Sequence, residues 1–343
     1  MNKEILAILN DKNLLKIKED NFERLTNLFN GKKYENAFIL NGVYGYSKNR
    51  VNPYEEPDKW VEEALEALAE NANELRNEVM FRPLCLEFGP YGVHFIDKML
   101  GSEVFFQNEQ WYNRYLKTPI GNLHYPDLEK DETWKLAKRV VKAFLSHNVK
   151  LPTFGLPTIA SPLNIAVNLY GEEILVEMYD NEDAAKHDLR VINDLLCTLH
   201  RWYIENIPVD QLQPVISGHR TEPYGFGQIC GCTTQLLSPE LYNEFIAPLD
   251  DELLSVYPNG GLIHLCGSHT QHIPTWKNMK SLRAVQLNDR AAEDLEIYFK
   301  ELREDQIIYL NPFEGMTIDR AIEVTGGHRL VIIADAKEPI KTK

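Results

Sequence analysis

Cysteine is scarce in this sequence, and no apolar run is long. The chain has five cysteines among 343 residues, an odd number without a repeating framework, which argues against a disulfide-stabilised secreted scaffold and indicates a reducing compartment. The longest apolar stretch, around residues 330–334, is far shorter than the roughly 20 residues of a membrane-spanning helix. The amino-terminal segment is charged throughout and lacks the apolar core of a signal peptide. We therefore expect a cytoplasmic protein without a membrane-spanning segment.

Positive charge is also in short supply. Lysine and arginine total 36 against 51 aspartates and glutamates, a formal net charge of −15, and no run of five or more basic residues occurs. A phosphate backbone would repel such a chain, so nucleic acid is not an expected partner. With 44% hydrophobic and 25% charged residues, the composition is that of a folded globular protein.

Several common catalytic signatures are missing. The sequence contains no G-x-G-x-x-G opening a helix after a strand, no G-x-x-x-x-G-K-[ST], no G-x-S-x-G and no H-E-x-x-H. These motifs supply phosphate-binding loops, serine nucleophiles and zinc-protease ligands. Nucleotide chemistry and serine-triad chemistry therefore have no support in the sequence.

The order of apolar patterns predicts an α/β protein with a parallel sheet. Residues 1–34 have the periodicity of short amphipathic helices that end at Gly31, and they predict an N-terminal helical cap. After it, strand-like runs alternate with helical patterns, as they do in folds with helices outside a parallel sheet. The predicted strands are 37–43, 79–87, 149–154, either 211–217 or 225–230, 261–266, 282–287, 306–310 and 330–334. About eight strands predict a (β/α)8 TIM barrel spanning residues 35–343.

In such a barrel the active site lies at the carboxyl ends of the strands. His264 and Cys266 alternate along the strand 261–266, so both side chains point to one face. Imidazole and thiolate suit zinc, and a catalytic site would need a third protein ligand and an open fourth position. The alternative is that both are packed core groups.

Three further residues are candidates to complete a metal site. Cys230 and Cys232 also alternate to one face, just before a helix that begins at Ser238. They are either ligands or two small buried side chains in a glycine-rich turn. Asp335 follows the last predicted strand and places a carboxylate on the same rim.

Other polar residues at the predicted strand ends are candidates for substrate binding. They are Glu87, His219, Arg220, Tyr224, Asn288 and Asn311. Arg220 can bind a substrate carboxylate or sulfonate through its planar fork, or it can pair internally with Glu222. By spacing, His269 and His272 are predicted on a helix surface, and Cys85 and Cys197 in the core.

Two segments near the predicted metal ligands carry a family resemblance. The segment LLSPELYNEFIAP at 236–248, followed by GGLIHLCG at 260–267, resembles the uroporphyrinogen decarboxylase-like superfamily, which includes the zinc-dependent corrinoid methyltransferases. The similarity continues through 88–106 and 161–189 and covers most of the chain after about residue 35. It implies the same (β/α)8 barrel.

The superfamily holds two chemistries, and the residues favour one of them. The region 37–57 lacks the Arg-rich carboxylate-binding segment of the true decarboxylases. His264 and Cys266 match the His-x-Cys of the methyltransferases, which implies a zinc-bound thiol acceptor, a corrinoid as methyl carrier and a corrinoid protein as partner. The third cysteine of that family is replaced here by Asp335, and Cys230 or Cys232 is predicted to take its role.

Two other functions stay open from the sequence. A cofactor-free decarboxylase of a uroporphyrinogen-like tetrapyrrole or another carboxylated substrate would use His219, Arg220, Tyr224 and His264, without a metal. A barrel whose zinc site has decayed would be a binding module. In each case the expected ligand is a small molecule, and the sequence leaves the oligomeric state undetermined.

Overall fold

The chain folds as a mixed α/β protein with parallel sheets. The computed structural model describes residues 1–157, 160–213 and 220–342. The strands are β1 (Phe38–Leu40), β2 (Val43–Tyr44), β3 (Leu84–Glu87), β4 (Val104–Gln107), β5 (Gln110–Asn113), β6 (Thr153–Gly155), β7 (Leu212–Gln213), β8 (Gly227–Cys230), β9 (Gly261–Cys266), β10 (Leu282–Asn288), β11 (Ile307–Leu310) and β12 (Leu330–Ile333).

Helices connect most of these strands and cover them. They are α1 (Lys3–Leu9), α2 (Lys12–Phe29), α3 (Pro57–Glu70), α4 (Phe95–Met99), α5 (Glu132–Ser146), α6 (Pro162–Tyr170), α7 (Glu173–Asp180), α8 (Glu182–Asn206), α9 (Pro239–Leu241), α10 (Ala247–Ser255), α11 (Ile273–Trp276), α12 (Leu295–Glu301) and α13 (Ile318–Thr325). Between α9 and α10 the helix continues as a π-helical segment, Tyr242–Ile246. This widening accommodates Pro248, which has no N–H for a regular helical hydrogen bond.

Hydrogen bonds join the strands into two parallel sheets and one hairpin. One sheet has the order β1-β12-β11-β10-β9-β8, the other β2-β3-β6-β7, and β4 pairs with β5 in an antiparallel hairpin. Single parallel bridges, Leu40 with Phe81 and Ala160 with Cys230, link segments of the two sheets. The parallel α/β architecture is therefore confirmed, while closure into one eight-stranded ring stays a prediction.

The first two helices lie where the sequence predicts them, and they share the main core. Leu9, Phe22 and Leu25 belong to the same buried cluster as the strands. The Phe22 ring stacks on Tyr224, which precedes β8, with 4.1 Å between the ring centroids. Helix α2 therefore covers the amino-terminal ends of the strands, which leaves the carboxyl ends uncovered by it. The division of domains at residue 34 stays a prediction.

Lys18 ties this helix to the rest of the molecule. Its side chain is buried, and its Nζ donates hydrogen bonds of 3.0 Å to the carbonyl oxygens of Lys150 and Asp210. Burial lowers the pKa of Lys18 to about 8, since a low-dielectric environment disfavours the charged ammonium. Among the described residues, no helix combines the length and apolar content needed to cross a membrane.

Candidate metal centre

The strands β8 and β9 bring the predicted ligands together. They run parallel, and Cys230 is in register with His264. Cys266 ends β9, and Cys232 begins a short 3-10 turn after β8. A Cβ atom at Gly231 would lie 2.5 Å from Ile263 Cδ1, so any other residue in this turn would force the Ile263 side chain of β9 to shift.

Three thiols and one imidazole meet at this strand edge. The ligand atoms of Cys230, Cys232 and His264 all lie within 4.8 Å of one another, and the sulfurs of Cys230 and Cys232 are 3.5 Å apart. Cys266 Sγ lies 3.2 Å from His264 Nε2 and also contacts the Cys232 thiol. Thiolate and imidazole are ligands that zinc prefers in proteins. The donor set therefore fits a metal ion of borderline softness.

Hydrogen bonds among the thiols set their protonation. The contacts with Cys230 and Cys266, together with burial, raise the pKa of Cys232. The contact with Cys232 lowers the pKa of Cys230 to about 6 and that of Cys266 to about 3, where His264 contributes as well. Both shifts favour the thiolate form of Cys230 and Cys266, which is the form that binds metals.

Three amide side chains surround these groups, and two of them were absent from the sequence prediction. Asn164 of α6 donates to Cys230 Sγ at 3.4 Å, and the predicted Asn288 donates to Cys266 Sγ at 3.4 Å. Gln286 Oε1 lies 2.8 Å from His264 Nδ1. Gln286 lies within an apolar strand and Asn164 within an apolar helix, so single-sequence patterns give no signal for either.

Asn311, predicted to bind substrate, packs instead against one of these amides. Its Oδ1 accepts a hydrogen bond of 2.6 Å from Gln286 Nε2. Its backbone N–H donates to the Leu287 carbonyl at 3.0 Å, which fixes Asn311 beside β10. The structure thus links Asn311 to the cysteine cluster through Gln286.

Helix α6 also supports a second polar pair. Asn168, one turn after Asn164, donates to Asp97 Oδ2 at 2.9 Å. The same oxygen lies 2.6 Å from His94 Nδ1, and Asp97 is fully buried. Burial raises the pKa of Asp97. This pair anchors the segment that follows β3 to the helix that contacts Cys230.

The prediction of Asp335 as a metal ligand is not supported. Its side chain is 82% exposed and lies 3.3 Å from Arg82 Nη1, and its Oδ1 accepts a hydrogen bond of 2.6 Å from Asn41. Asp335 is not part of the ligand group formed by Cys230, Cys232 and His264. The reason is that the chain after β12 places this carboxylate against Asn41, which follows β1, and Arg82, which precedes β3.

The remaining residues that were predicted to bind substrate occupy different positions in the fold. Tyr224 precedes β8, and its hydroxyl donates to Glu19 Oε1 at 3.1 Å, so it lies at the opposite end of that strand from Cys230. The Arg220 charge lowers the pKa of Cys230 and opposes the rise that burial causes in the pKa of Glu222. Glu87 ends β3 in register with Gly155. His219 lies outside the described residues.

The prediction that His269 and His272 lie on a helix surface is wrong. Both are fully buried, because the chain forms a short 3-10 turn that packs against the loop after β8. His269 Nε2 lies 3.2 Å from the Cys232 carbonyl oxygen, and His272 Nε2 lies 2.9 Å from that of Thr234. Burial lowers the pKa of both. The core positions of Cys85 and Cys197 are confirmed.

Comparisons with known proteins identify a solved structure with a similar fold. No protein-family model matches the chain. No curated protein matches it either. Among solved structures, the chain is similar to a methyltransferase from Methanosarcina mazei, with a TM-score of 0.58 and 11% identity, over 93% of this chain and 92% of that one. At this identity the likeness shows a shared fold.

Proposed function

We propose that the protein is a zinc-dependent methyltransferase of the uroporphyrinogen decarboxylase-like superfamily. In this proposal it moves a methyl group between a corrinoid, carried by a partner protein, and a thiol or similar acceptor. The observation that carries the proposal is the convergence of Cys230, Cys232, Cys266 and His264 at the carboxyl ends of β8 and β9. A fold shared with a methyltransferase agrees with it.

The chemistry requires a sulfur nucleophile. Zinc held by these cysteines and His264 would bind a substrate thiol as a thiolate, which is the nucleophilic form. Asn164 and Asn288 donate hydrogen bonds to Cys230 and Cys266, and these bonds stabilise negative charge on the protein sulfurs. In the transfer, a sulfur–carbon bond forms and the carbon–cobalt bond breaks. The electron pair stays on cobalt, which is reduced from Co(III) to Co(I), and the thiol proton leaves to solvent.

The contacts favour this function over the decarboxylase. A cofactor-free decarboxylase would need Arg220, Tyr224 and His264 to converge on a carboxylated substrate. The Tyr224 hydroxyl instead donates a hydrogen bond to Glu19 of helix α2. This contact is at the other end of β8 from His264. The side chains that do converge are thiols, which a decarboxylase does not require.

We also infer that the two parallel sheets are arcs of one (β/α)8 barrel. The bridges Leu40–Phe81 and Ala160–Cys230 support this, since each joins segments of the two sheets. The metal centre would then lie at the carboxyl-terminal mouth, where barrel enzymes bind substrates. Three closely spaced free thiols also suit the reducing cytoplasm that we propose as the location.

Methyl transfer to a thiol tests the proposal. Zinc-loaded protein is mixed with methylcobalamin and 2-mercaptoethanol, and the loss of the methylcobalamin absorbance is followed. We expect turnover in the wild type and only the uncatalysed rate in Cys266→Ala, because that variant lacks one ligand. Cys197→Ala, which removes a buried thiol in α8, should retain the activity. Equal rates in Cys266→Ala and the wild type would contradict the proposal.

A further inference from the structure

A chain of two amides lies behind the histidine of the metal centre. Gln286 is paired in register with His264 of β9 on one side and with Tyr309 of β11 on the other. Its Oε1 lies 2.8 Å from His264 Nδ1, and its Nε2 donates to Asn311 Oδ1 at 2.6 Å. Gln286 is only 2% exposed. Its hydrogen-bonding groups therefore have protein partners rather than water.

The direction of these hydrogen bonds determines which imidazole nitrogen can bind a metal. A neutral imidazole has one N–H donor and one nitrogen with a lone pair. When Nδ1 of His264 donates to Gln286 Oε1, the lone pair is on Nε2, the nitrogen that lies 3.2 Å from Cys266 Sγ. With the amide reversed, Gln286 would donate to Nδ1, and a protonated Nε2 would face the sulfurs. A protonated Nε2 cannot bind a metal.

We propose that Gln286 and Asn311 are positioning residues that hold His264 in the metal-binding tautomer. Asn311 Oδ1 keeps the NH2 end of the Gln286 amide turned away from the imidazole. Gln286 Oε1 then fixes both the proton on Nδ1 and the plane of the ring. This role differs from the substrate binding that the sequence predicts for Asn311, and it rests on the proposed metal centre.

The affinity for zinc is the first test, measured by competition with a chromophoric chelator. Gln286→Leu removes the acceptor, and we expect its affinity to fall by about 10- to 100-fold, the usual loss for such partners of a metal-bound histidine. Gln286→Glu retains an acceptor for Nδ1 and should stay within a few-fold of the wild type. Gln306→Leu is the matched control. It removes a buried amide that bonds the carbonyls of Trp276 and Leu282 instead of His264.

The second test is the tautomer itself, read from the 15N chemical shifts of His264 in the metal-free wild type. We expect a proton on Nδ1, the nitrogen that faces Gln286 Oε1. An unprotonated Nδ1, or unchanged zinc affinity in folded Gln286→Leu, would overturn the inference. A protein that binds zinc without transferring methyl groups would refute the proposed function alone. Because the tautomer is measured without metal, this test holds even if the wild type binds no zinc.

Discussion

Asp250 is a buried carboxyl that links helix α6 to the helical segments that follow β8. Ser161, the N-cap of α6, donates to its Oδ1 at 2.7 Å, and Tyr242 of the π-helical segment donates to its Oδ2 at 3.0 Å. Trp276 Nε1 donates to the Tyr242 hydroxyl at 2.8 Å. Burial raises the pKa of Asp250 to about 7, and the neighbouring Asp251 adds to the rise.

This pKa predicts a specific pH dependence of stability. Between the ordinary aspartate pKa of about 4 and pH 7, the folded protein holds a proton that the unfolded chain has lost. The free energy of unfolding from this group therefore falls as pH rises, by up to about 1.4 kcal/mol per pH unit. Asp250→Asn removes the effect. The free energy of unfolding of this variant, relative to that of the wild type, should therefore rise by about 2 to 3 kcal/mol between pH 5 and pH 8.

Urea unfolding at the two pH values measures this difference. Asp183→Asn is the control, since it removes one carboxyl from an exposed position in the first turn of α8. A difference between Asp250→Asn and the wild type that stays constant from pH 5 to pH 8 would show that Asp250 is ionised in the fold throughout.

At the residue scale, the sequence predicted the candidate ligands that the structure brings together better than the residues that contact them. His264, Cys266, Cys230 and Cys232 were predicted because cysteine and histidine alternating along a strand are a recognisable pattern. Gln286 was missed, since its role depends on the register of neighbouring strands, which a single sequence does not show. His269 and His272 were misplaced for a related reason: their spacing indicates a helix, but tertiary packing buries them.

At the scale of elements, glycine allows the Tyr257 ring to pack against β8. Gly227 is in register with Gly261, and a Cβ atom at Gly227 would lie 2.2 Å from the Tyr257 ring. Gly227→Ala therefore forces Tyr257 out of its place, and we expect it to lower the free energy of unfolding by about 1–3 kcal/mol.

Gly315→Ala provides the comparison, because a Cβ atom at Gly315 would have no heavy atom within 4 Å of it. We expect that variant to stay within about 0.5 kcal/mol of the wild type. Urea unfolding of both variants measures the effect. Equal stability of Gly227→Ala and Gly315→Ala would contradict the close packing of Tyr257 against β8.

Elements with strong periodicity were predicted from the sequence, and elements defined by their turns were not. Strand β9 has the predicted bounds, and both alternatives at 211–217 and 225–230 contain a strand, β7 and β8. The β4–β5 hairpin was missed. Its turn places Asn108 and Glu109 at positive φ, and Glu109 stands where such turns usually carry glycine.

At the scale of the whole molecule, the two ends of the strands have different roles. Helix α2 covers the amino-terminal end, where Arg283 at the start of β10 also donates to the Phe29 carbonyl at 3.4 Å. The polar and thiol groups gather at the carboxyl end. Alternating strands and helices predicted this polarity, because parallel strands place all their carboxyl ends on one side. Ring closure depends on pairings between distant segments, which periodicity does not reveal.

Metal content is the most direct test of the account. Protein purified without chelator is analysed for bound metals beside a His264→Ala/Cys266→Ala double variant and an Asp335→Ala control. We predict about one zinc ion per chain in the wild type and in Asp335→Ala, and none in the double variant, because zinc needs at least three protein ligands. A wild type without zinc, or a double variant that retains it, would contradict the metal centre at the ends of β8 and β9.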